Sequence, residues 1–93
     1  MNKNDISYIY DRASKRIKYF RKYRGLTQDQ LSIDSTFSRG FIANIESAKT
    51  NQTFSLGILL YYLSLKLDIP IELFVKEDIS EELKLMEIDN QEL

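Results

Sequence analysis

The chain has 93 residues, enough for one domain with a modest hydrophobic core but too few for two. It contains no cysteine and no histidine, which removes disulfides, thiol nucleophiles, the usual zinc ligands and the commonest general base, so we expect no metal, no cofactor and no enzymatic activity. No apolar run approaches the length of a membrane span and the N-terminus lacks the apolar core of a signal peptide, so we expect a globular cytoplasmic protein.

The charge is unevenly distributed along the chain. The net charge is −1, but residues 1–52 carry ten Lys and Arg against five acids, whereas residues 53–93 carry three Lys against nine acids. Such a division is typical of a protein with a positive surface for an anionic partner. Taken alone, the uneven charge is equally compatible with a division that has no function.

The first predicted helix is amphipathic and ends at a glycine. Its apolar residues recur at spacings of three and four: Ile6, Ile9, Ala13, Ile17 and Phe20. Asp5 or Ser7 is the candidate cap at its start. Gly25 ends the helix, with the basic residues Lys22 and Arg24 in the last turn.

Two short helices are predicted next. Thr27 caps the second helix, and Gln30 three residues later completes a capping box. Leu31 is the apolar anchor of this helix. After the break at "DSTF", Ser38 caps a third helix. The inward-facing residues of that helix are Ile42 and Ile45.

The C-terminal half predicts further helices. Residues 47–53 are a loop by composition, and Thr53 or Ser55 opens a fourth helix that is apolar nearly all round, as expected of the central helix of a small bundle. Its core leucines are Leu56, Leu59, Leu60, Leu63 and Leu67. Pro70 stops this helix, and "IELFV" forms a short fifth one.

Residues 77–93 are acidic but keep apolar residues at helical spacing. These are Ile79, Leu83 and Met86, with Ser80 as a possible cap. We therefore expect an acidic helical extension at the C-terminus. Because no segment shows the alternation of a half-buried strand, the whole chain is predicted to be all-α.

The second and third helices form the pattern that carries function. Two short helices joined by about four residues indicate a helix-turn-helix when the second presents polar and basic residues outward. With the isoleucines buried, Arg39, Gly40 and Asn44 fall on the outer side. Arg39 could bind O6 and N7 of a guanine together, and Asn44 could bind an adenine in the same bidentate manner. Gly40 either allows the helix to approach the bases or merely weakens it.

Three segments in order resemble a known family. "RIKYFRKYRGLTQDQLS", "SRGFIANIESAK" and "LDIPIELF" are similar to the XRE-type, lambda-repressor-like helix-turn-helix domain of bacterial and phage regulators, over residues 14–75. The resemblance implies a compact five-helix DNA-binding domain over residues 1–76, with its helix-turn-helix at residues 27–47. Residues 77–93 form the acidic extension.

The resemblance also implies roles for individual residues. Arg39, Gly40 and Asn44 match base-reading positions, and Arg21 and Glu46 match an ion pair between the first and third helices. The positions implied to contact DNA phosphates are Thr27, Gln28, Ser38, Phe41, Lys49 and Asn51. For Phe41, packing on the second helix is the favoured alternative. The ion pair has independent support, because a lone acid beside two inward isoleucines needs a partner if it is buried.

The chain departs from the family pattern at several places. Thr36 and Ala48 stand where the family has glycine, so the turn before the third helix is expected to be rebuilt, with Phe37 filling the core beneath it. The loop before the fourth helix is about three residues longer than usual. The roles implied for Lys49 and Asn51 are therefore weaker than the others.

The sequence thus predicts a sequence-specific regulator of transcription, such as a repressor, that places its third helix in the major groove of double-stranded DNA. A two-fold homodimer on a palindromic operator is expected, since one helix alone discriminates weakly. The dimer contact is predicted on the fifth helix, at Ile69, Ile71, Phe74 and Val75. The alternative is an antitoxin or other protein-interaction module whose acidic tail binds a basic protein.

Overall fold

The structure, a computed structural model, describes residues 6–33, 35, 37–47 and 56–92, and the side chains of residues 7–33, 35, 37–47 and 57–87. This part of the chain contains six helices and no strand, which confirms the all-α prediction. The helices are α1 (Ile6–Tyr23), α2 (Gln28–Ser32), α3 (Arg39–Glu46), α4 (Leu56–Leu67), α5 (Glu72–Val75) and α6 (Ser80–Glu92). None of the six is both long and apolar enough to cross a lipid bilayer.

One face of α1 is buried, as its periodicity predicted. Ala13, Ile17 and Phe20 lie in the core. The helix begins at Ile6 and therefore already includes Ser7, so the alternative that Ser7 caps it is wrong. Asp5, the other candidate cap, lies outside the described residues.

The predicted end of α1 at Gly25 is confirmed. Gly25 has a φ of 72°, in the left-handed region that favours glycine. Its N–H donates to the carbonyl of Lys22 at 2.9 Å, and the N–H of Leu26 donates to the carbonyl of Arg21 at 3.1 Å. This is the Schellman arrangement, which satisfies two carbonyls at the helix end and turns the chain toward α2.

A single hydrophobic core joins the elements. It consists of Ala13, Ile17, Phe20, Leu31, Ile42, Ile45, Leu59, Leu60, Leu63, Leu67, Ile69, Leu73, Phe74 and Ile79. Phe20 and Phe74 meet edge to face, with ring centroids 5.3 Å apart. Ile79 belongs to this core, and Leu83 and Met86 of α6 pack against it. The core therefore continues across the predicted boundary between residues 76 and 77.

The capping box predicted for α2 is confirmed. The Thr27 hydroxyl oxygen accepts a hydrogen bond from the backbone N–H of Gln30 at 3.1 Å. In return, the Gln30 side-chain carbonyl accepts one from the N–H of Thr27 at 2.8 Å. These bonds satisfy two of the free N–H groups at the start of the helix, while Leu31 anchors it in the core.

The core leucines predicted for α4 are confirmed where its side chains are described, but the apolar surface of this helix is not buried on every side. Leu59, Leu60, Leu63 and Leu67 are buried as expected. On the opposite side, however, Ile58, Tyr61 and Leu65 are 69%, 62% and 67% exposed. The reason is the small size of the domain, because α2, α3 and α5 are too short to cover both faces of α4. The candidate caps Thr53 and Ser55 lie outside the described residues.

The predicted dimer contact on α5 must also be corrected. Phe74 is fully buried and Ile69 is 4% exposed, so both side chains are already used by the core and have no surface to offer a second copy. Ile71 and Val75 remain partly exposed. A helix of four residues is too short for periodicity to show which side chains face inward.

Arg24 caps the C-terminal end of α4 with hydrogen bonds from its side chain. Its guanidinium donates to the carbonyl of Leu67 at 2.6 Å and to that of Asp68 at 2.7 Å. Asp68 adopts a positive φ of 54°, and the N–H of Ile69 reaches back to the carbonyl of Ser64 at 3.0 Å. A cation at a helix C-terminus satisfies free carbonyls and complements the helix dipole.

Arg12 and Arg16 donate hydrogen bonds to backbone carbonyls at the end of α5. Arg12 donates to the carbonyl of Val75 at 2.7 Å. The carbonyls that accept from Arg16 are those of Leu73 at 3.1 Å, Lys76, and Glu77 at 2.8 Å. The basic residues of α1 thus tie the first helix to segments about 60 positions later in the chain.

The start of α6 is held by Asp78, whereas the sequence predicted Ser80 as the cap. The Asp78 carboxylate accepts hydrogen bonds from the backbone N–H of Ser80 at 3.0 Å and from its hydroxyl at 2.8 Å. These bonds hold the pKa of Asp78 below its ordinary value. Lys76 pairs with Glu82 at 2.8 Å, which lowers the pKa of Glu82 and raises that of Lys76.

Candidate nucleic-acid interface

The helix pair α2–α3 has the packing expected of a helix-turn-helix. Leu31 of α2 and the inward residues Ile42 and Ile45 of α3 are buried together in the core. Residues 33–38 connect the two helices, a longer link than the predicted four residues. Thr36, where a rebuilt turn was expected, lies outside the described residues.

Aromatic rings fill the space beneath this connection. The ring of Phe37 stacks on that of Phe41 with centroids 5.2 Å apart, and meets Tyr62 of α4 edge to face at 5.3 Å. Phe37 and Phe41 are both half-buried against the core. The packing alternative for Phe41 is therefore the one the structure favours.

Ser38 caps α3, as predicted from its position. Its hydroxyl oxygen accepts a hydrogen bond from the N–H of Phe41 at 3.1 Å. The cap fixes the first turn of α3, where Arg39 and Gly40 stand. The hydroxyl hydrogen of Ser38 is still free to donate to an anion.

The outer side of α3 carries the residues predicted to read bases. Arg39, Gly40 and Asn44 are all exposed. A Cβ added to Gly40 would meet only the Ser38 hydroxyl oxygen, at 4.0 Å, so the space outside this residue is open. Ser47 follows Asn44 by three positions, is exposed, and donates to the carbonyl of Asn44 at 3.0 Å. Helical spacing alone would have placed Ser47 on this surface, but the sequence prediction omitted it.

Asp29 is a second residue that sequence reasoning missed. Its carboxylate lies 3.3 Å from the Nε of Arg39, which links α2 to α3 across the outside of the pair. Both side chains are mostly exposed, at 73% and 66%, so the pair contributes at most about 1 kcal/mol and opens easily. No local sequence rule relates two residues ten positions apart on different helices.

The ion pair between Arg21 and Glu46 forms in the interior. The Nε of Arg21 donates to one carboxylate oxygen of Glu46 at 2.7 Å, and its Nη2 donates to the other at 3.0 Å. The Nη1 of Arg21 donates to the carbonyl of Leu26 at 2.6 Å. The two side chains are 8% and 2% exposed. This bidentate contact fixes α3 against α1, and such pairs set geometry more than they add stability.

Gln28 joins this interior cluster, which changes its expected role. Its side-chain Nε2 donates to the Oε1 of Glu46 at 3.2 Å. The amide was predicted to hold a DNA phosphate, but in the structure it is turned toward α3. One amide hydrogen remains for an external acceptor. Lys49 and Asn51, the last two predicted phosphate contacts, lie outside the described residues.

The surface assembled here can donate hydrogen bonds. Around Gly40, which has no side chain, the side chains of Ser38, Arg39, Asn44 and Ser47 are exposed, and the Ser47 hydroxyl already donates to the carbonyl of Asn44. Among the described residues, no group of Asp and Glu is arranged to hold a metal ion. Comparison with models of known protein families, with curated proteins and with solved structures found no match to this chain.

Proposed function

We propose that the chain is a sequence-specific regulator of transcription that binds double-stranded DNA through α3, with α1–α5 arranged as in the XRE-type, lambda-repressor-like domain and α6 as its acidic extension. The observation that carries this proposal is the two-sidedness of α3. Ile42, Ile45 and Glu46 are buried on one side, while Arg39, Gly40 and Asn44 are exposed on the other.

The dimensions of α3 suit the major groove. An α-helix with its side chains is about 10–12 Å in diameter, which matches the major groove's width of about 12 Å, and the eight residues of α3 give a helix about 12 Å long. Arg39 in its first turn can donate to O6 and N7 of one guanine. Asn44 lies just over one turn further along and can address a neighbouring base. Since the Arg39–Asp29 pair is exposed and weak, little is lost when the guanidinium turns from Asp29 to DNA.

The interior cluster supports this function by fixing orientation. Arg21, Glu46 and Gln28 hold α1, α2 and α3 in one arrangement, so the outer side of α3 is presented without a flexible joint. Base recognition depends on such positioning, because a bidentate contact tolerates little displacement. A two-fold homodimer would read two half-sites about one helical turn apart and increase discrimination. Ile71 and Val75 are the residues of the predicted α5 contact still available for it.

Arg39→Ala tests the base contact. After selection of a binding consensus from random duplex DNA, we expect this variant to lose preference at one base-pair position of each half-site, and to bind the consensus about 5-fold to 150-fold more weakly per contact, corresponding to about 1–3 kcal/mol. Fluorescence anisotropy at several salt concentrations measures both quantities.

The matched control for this variant is Lys22→Ala, which removes an exposed cation from α1. If Lys22 contacts DNA at all, its loss should weaken all sequences alike and reduce the salt dependence without altering the consensus. Recovery of no consensus by the unmodified protein, together with affinity that does not respond to salt, would refute the proposal.

Gly40→Ala separates stability from binding. Alanine in a helix interior is more stable than glycine by about 0.5–1 kcal/mol, and the added Cβ meets nothing closer than 4.0 Å, so we expect a higher midpoint of thermal unfolding. The same methyl group would stand between α3 and the base edges, so we expect weaker DNA binding. Gly57→Ala, an equally open position in the first turn of α4, is the control and should leave binding unchanged. If the Gly40→Ala variant binds DNA as tightly as the parent protein, the α3 backbone does not approach the bases closely at this residue.

A protein-interaction module on the same scaffold is the second candidate. The exposed acids Glu81 and Glu87 of α6 favour it, since they could bind a basic protein surface. In that case Arg39→Ala should leave partner binding intact, whereas Glu81→Gln and Glu87→Gln should weaken it. DNA binding by α3 predicts the opposite pattern.

A further inference from the structure

A groove of about 400 Å³ lies between α1 and α6, apart from the residues assigned to DNA contact. One wall of the groove is a face of α1, because four of the lining residues recur at spacings of three and four. These are Tyr8, Arg12, Lys15 and Tyr19. Leu83 of α6 lines it as well. The volume falls within the range of small-molecule sites, about 300–1,000 Å³.

The α1 wall of this groove is positively charged. Arg12, Lys15 and Arg16 line it together with a single acid, Asp11, which is paired with Lys15 at 3.0 Å. Arg12 and Arg16 donate to neutral carbonyls of the α5 end, which leave the two positive charges in place. Burial lowers the pKa of Arg16, and the neighbouring charge of Arg12 lowers it further.

The acids of α6 offset this charge only in part. Asp78 and Glu82 act on Arg16 and favour its charged form. Each is already engaged, however, because Asp78 accepts from Ser80 and Glu82 accepts from Lys76. Lys15, by contrast, is 76% exposed, and its ion pair with Asp11 is of the weak surface type, so its ammonium group is available to a ligand.

Two tyrosine rings add flat apolar surface to the charged wall. The Arg12 guanidinium lies over the ring of Tyr8, 5.2 Å from its centroid. The ring of Tyr19 is held by an edge-to-face contact with buried Phe20 at 5.3 Å. Tyr8 and Tyr19 are eleven positions apart, about 16 Å along α1, which leaves room between them for a ligand ring and an anionic group side by side.

We infer that this groove binds a small molecule that combines a flat ring with an anionic group, either a carboxylate or a phosphate. Tyr19 and Leu83 would contact the ring of the ligand, and Arg12 and Lys15 would hold its anionic group. Because the ligand would touch both α1 and α6, its binding would strengthen the attachment of α6 to the domain. Ligand binding here does not depend on DNA binding by α3.

Nuclear magnetic resonance titration of the full 15N-labelled chain tests this inference with four probes: phenyl phosphate, benzoate, inorganic phosphate and benzyl alcohol. We expect saturable shifts of backbone amides between residues 8 and 19 and at residue 83, with a Kd of about 1 mM or lower for at least one of the two aromatic anions. Phenyl phosphate against benzoate identifies the anionic group. Inorganic phosphate and benzyl alcohol should each bind at least about tenfold more weakly than the better aromatic anion, because each lacks half of the recognised chemistry.

Lys15→Gln and Lys18→Gln form a matched pair of variants for the same titration. Both residues are exposed on α1, so neither change should unfold the chain, but only Lys15 lines the groove. Lys15→Gln should weaken binding of the aromatic anion by about threefold to fivefold, whereas Lys18→Gln should leave it unchanged.

Four results would overturn the inference. These are the absence of saturable shifts, equal affinity for inorganic phosphate and the aromatic anions, equal loss in the two lysine variants, and displacement of the bound probe by a short duplex DNA. The second and third would indicate unspecific attraction to a basic surface. The last would show that the groove contacts the DNA backbone instead.

Discussion

Glu46→Leu should destabilise the protein by about 3–5 kcal/mol, because it leaves the Arg21 guanidinium buried without its counter-ion. The lost contacts are the two hydrogen bonds from Arg21, at 2.7 and 3.0 Å, and the one from Gln28, at 3.2 Å. The Arg21 and Glu46 side chains are only 8% and 2% exposed. For a domain of this size the loss corresponds to a fall of about 15–30 °C in the midpoint of thermal unfolding. Urea and thermal denaturation followed by circular dichroism measure both quantities.

The double variant Arg21→Met, Glu46→Leu distinguishes a buried pair from an ordinary loss of contacts. Replacing both charges by apolar groups removes the unpaired ion, so most of the stability should return. The exposed pair provides the comparison, since Asp29→Asn should change stability by less than about 1 kcal/mol. A Glu46→Leu protein as stable as Asp29→Asn would mean that the Arg21–Glu46 contact is accessible to water.

Phe74→Ala should lower the free energy of unfolding by about 3–5 kcal/mol, because it removes packing from the core. The side chain is fully buried and meets Phe20 edge to face at 5.3 Å, so its removal leaves a cavity that the short helix α5 cannot close. The loss should be the same at every protein concentration, because Phe74 belongs to the core of a single chain. Thermal unfolding at two widely separated concentrations checks this expectation.

Val75→Ala is the control for Phe74, since it changes the neighbouring residue of the same helix at a position that is partly exposed. Its effect on stability should be within about 0.5 kcal/mol, typical of surface positions. If Phe74 instead lay between two copies, the destabilisation of Phe74→Ala would depend on protein concentration. That dependence, together with a shift to monomer in analytical ultracentrifugation, would restore the dimer contact that the sequence predicted.

Local chemistry made much of the helical framework predictable. The capping box of Thr27 and Gln30, the cap at Ser38 and the left-handed Gly25 each depend on residues within five positions, and all three occur in the structure. The inward placement of Ile42 and Ile45 likewise followed from the helical period. The exposure of Arg39 and Asn44 is the direct consequence of that placement.

Contacts between distant segments were not predictable in the same way. Periodicity cannot show which side chains face inward in α5, because this helix has only four residues. For this reason Phe74 was expected at a dimer contact, whereas the structure buries it in the core. The turn of Gln28 toward Glu46 and the Arg39–Asp29 pair likewise depend on how separate helices meet, which one sequence does not reveal.

The arginines of α1 have a consequence for synthesis of the protein on the ribosome. The carbonyls that Arg12, Arg16 and Arg24 hold come from residues between Leu67 and Glu77, and Ile79 completes the apolar interior. While the nascent chain is shorter than this, the first helix has no partner for these guanidinium groups, and much of its apolar face is open to water. We therefore expect the domain to complete its fold only after the segment through Ile79 has left the exit tunnel.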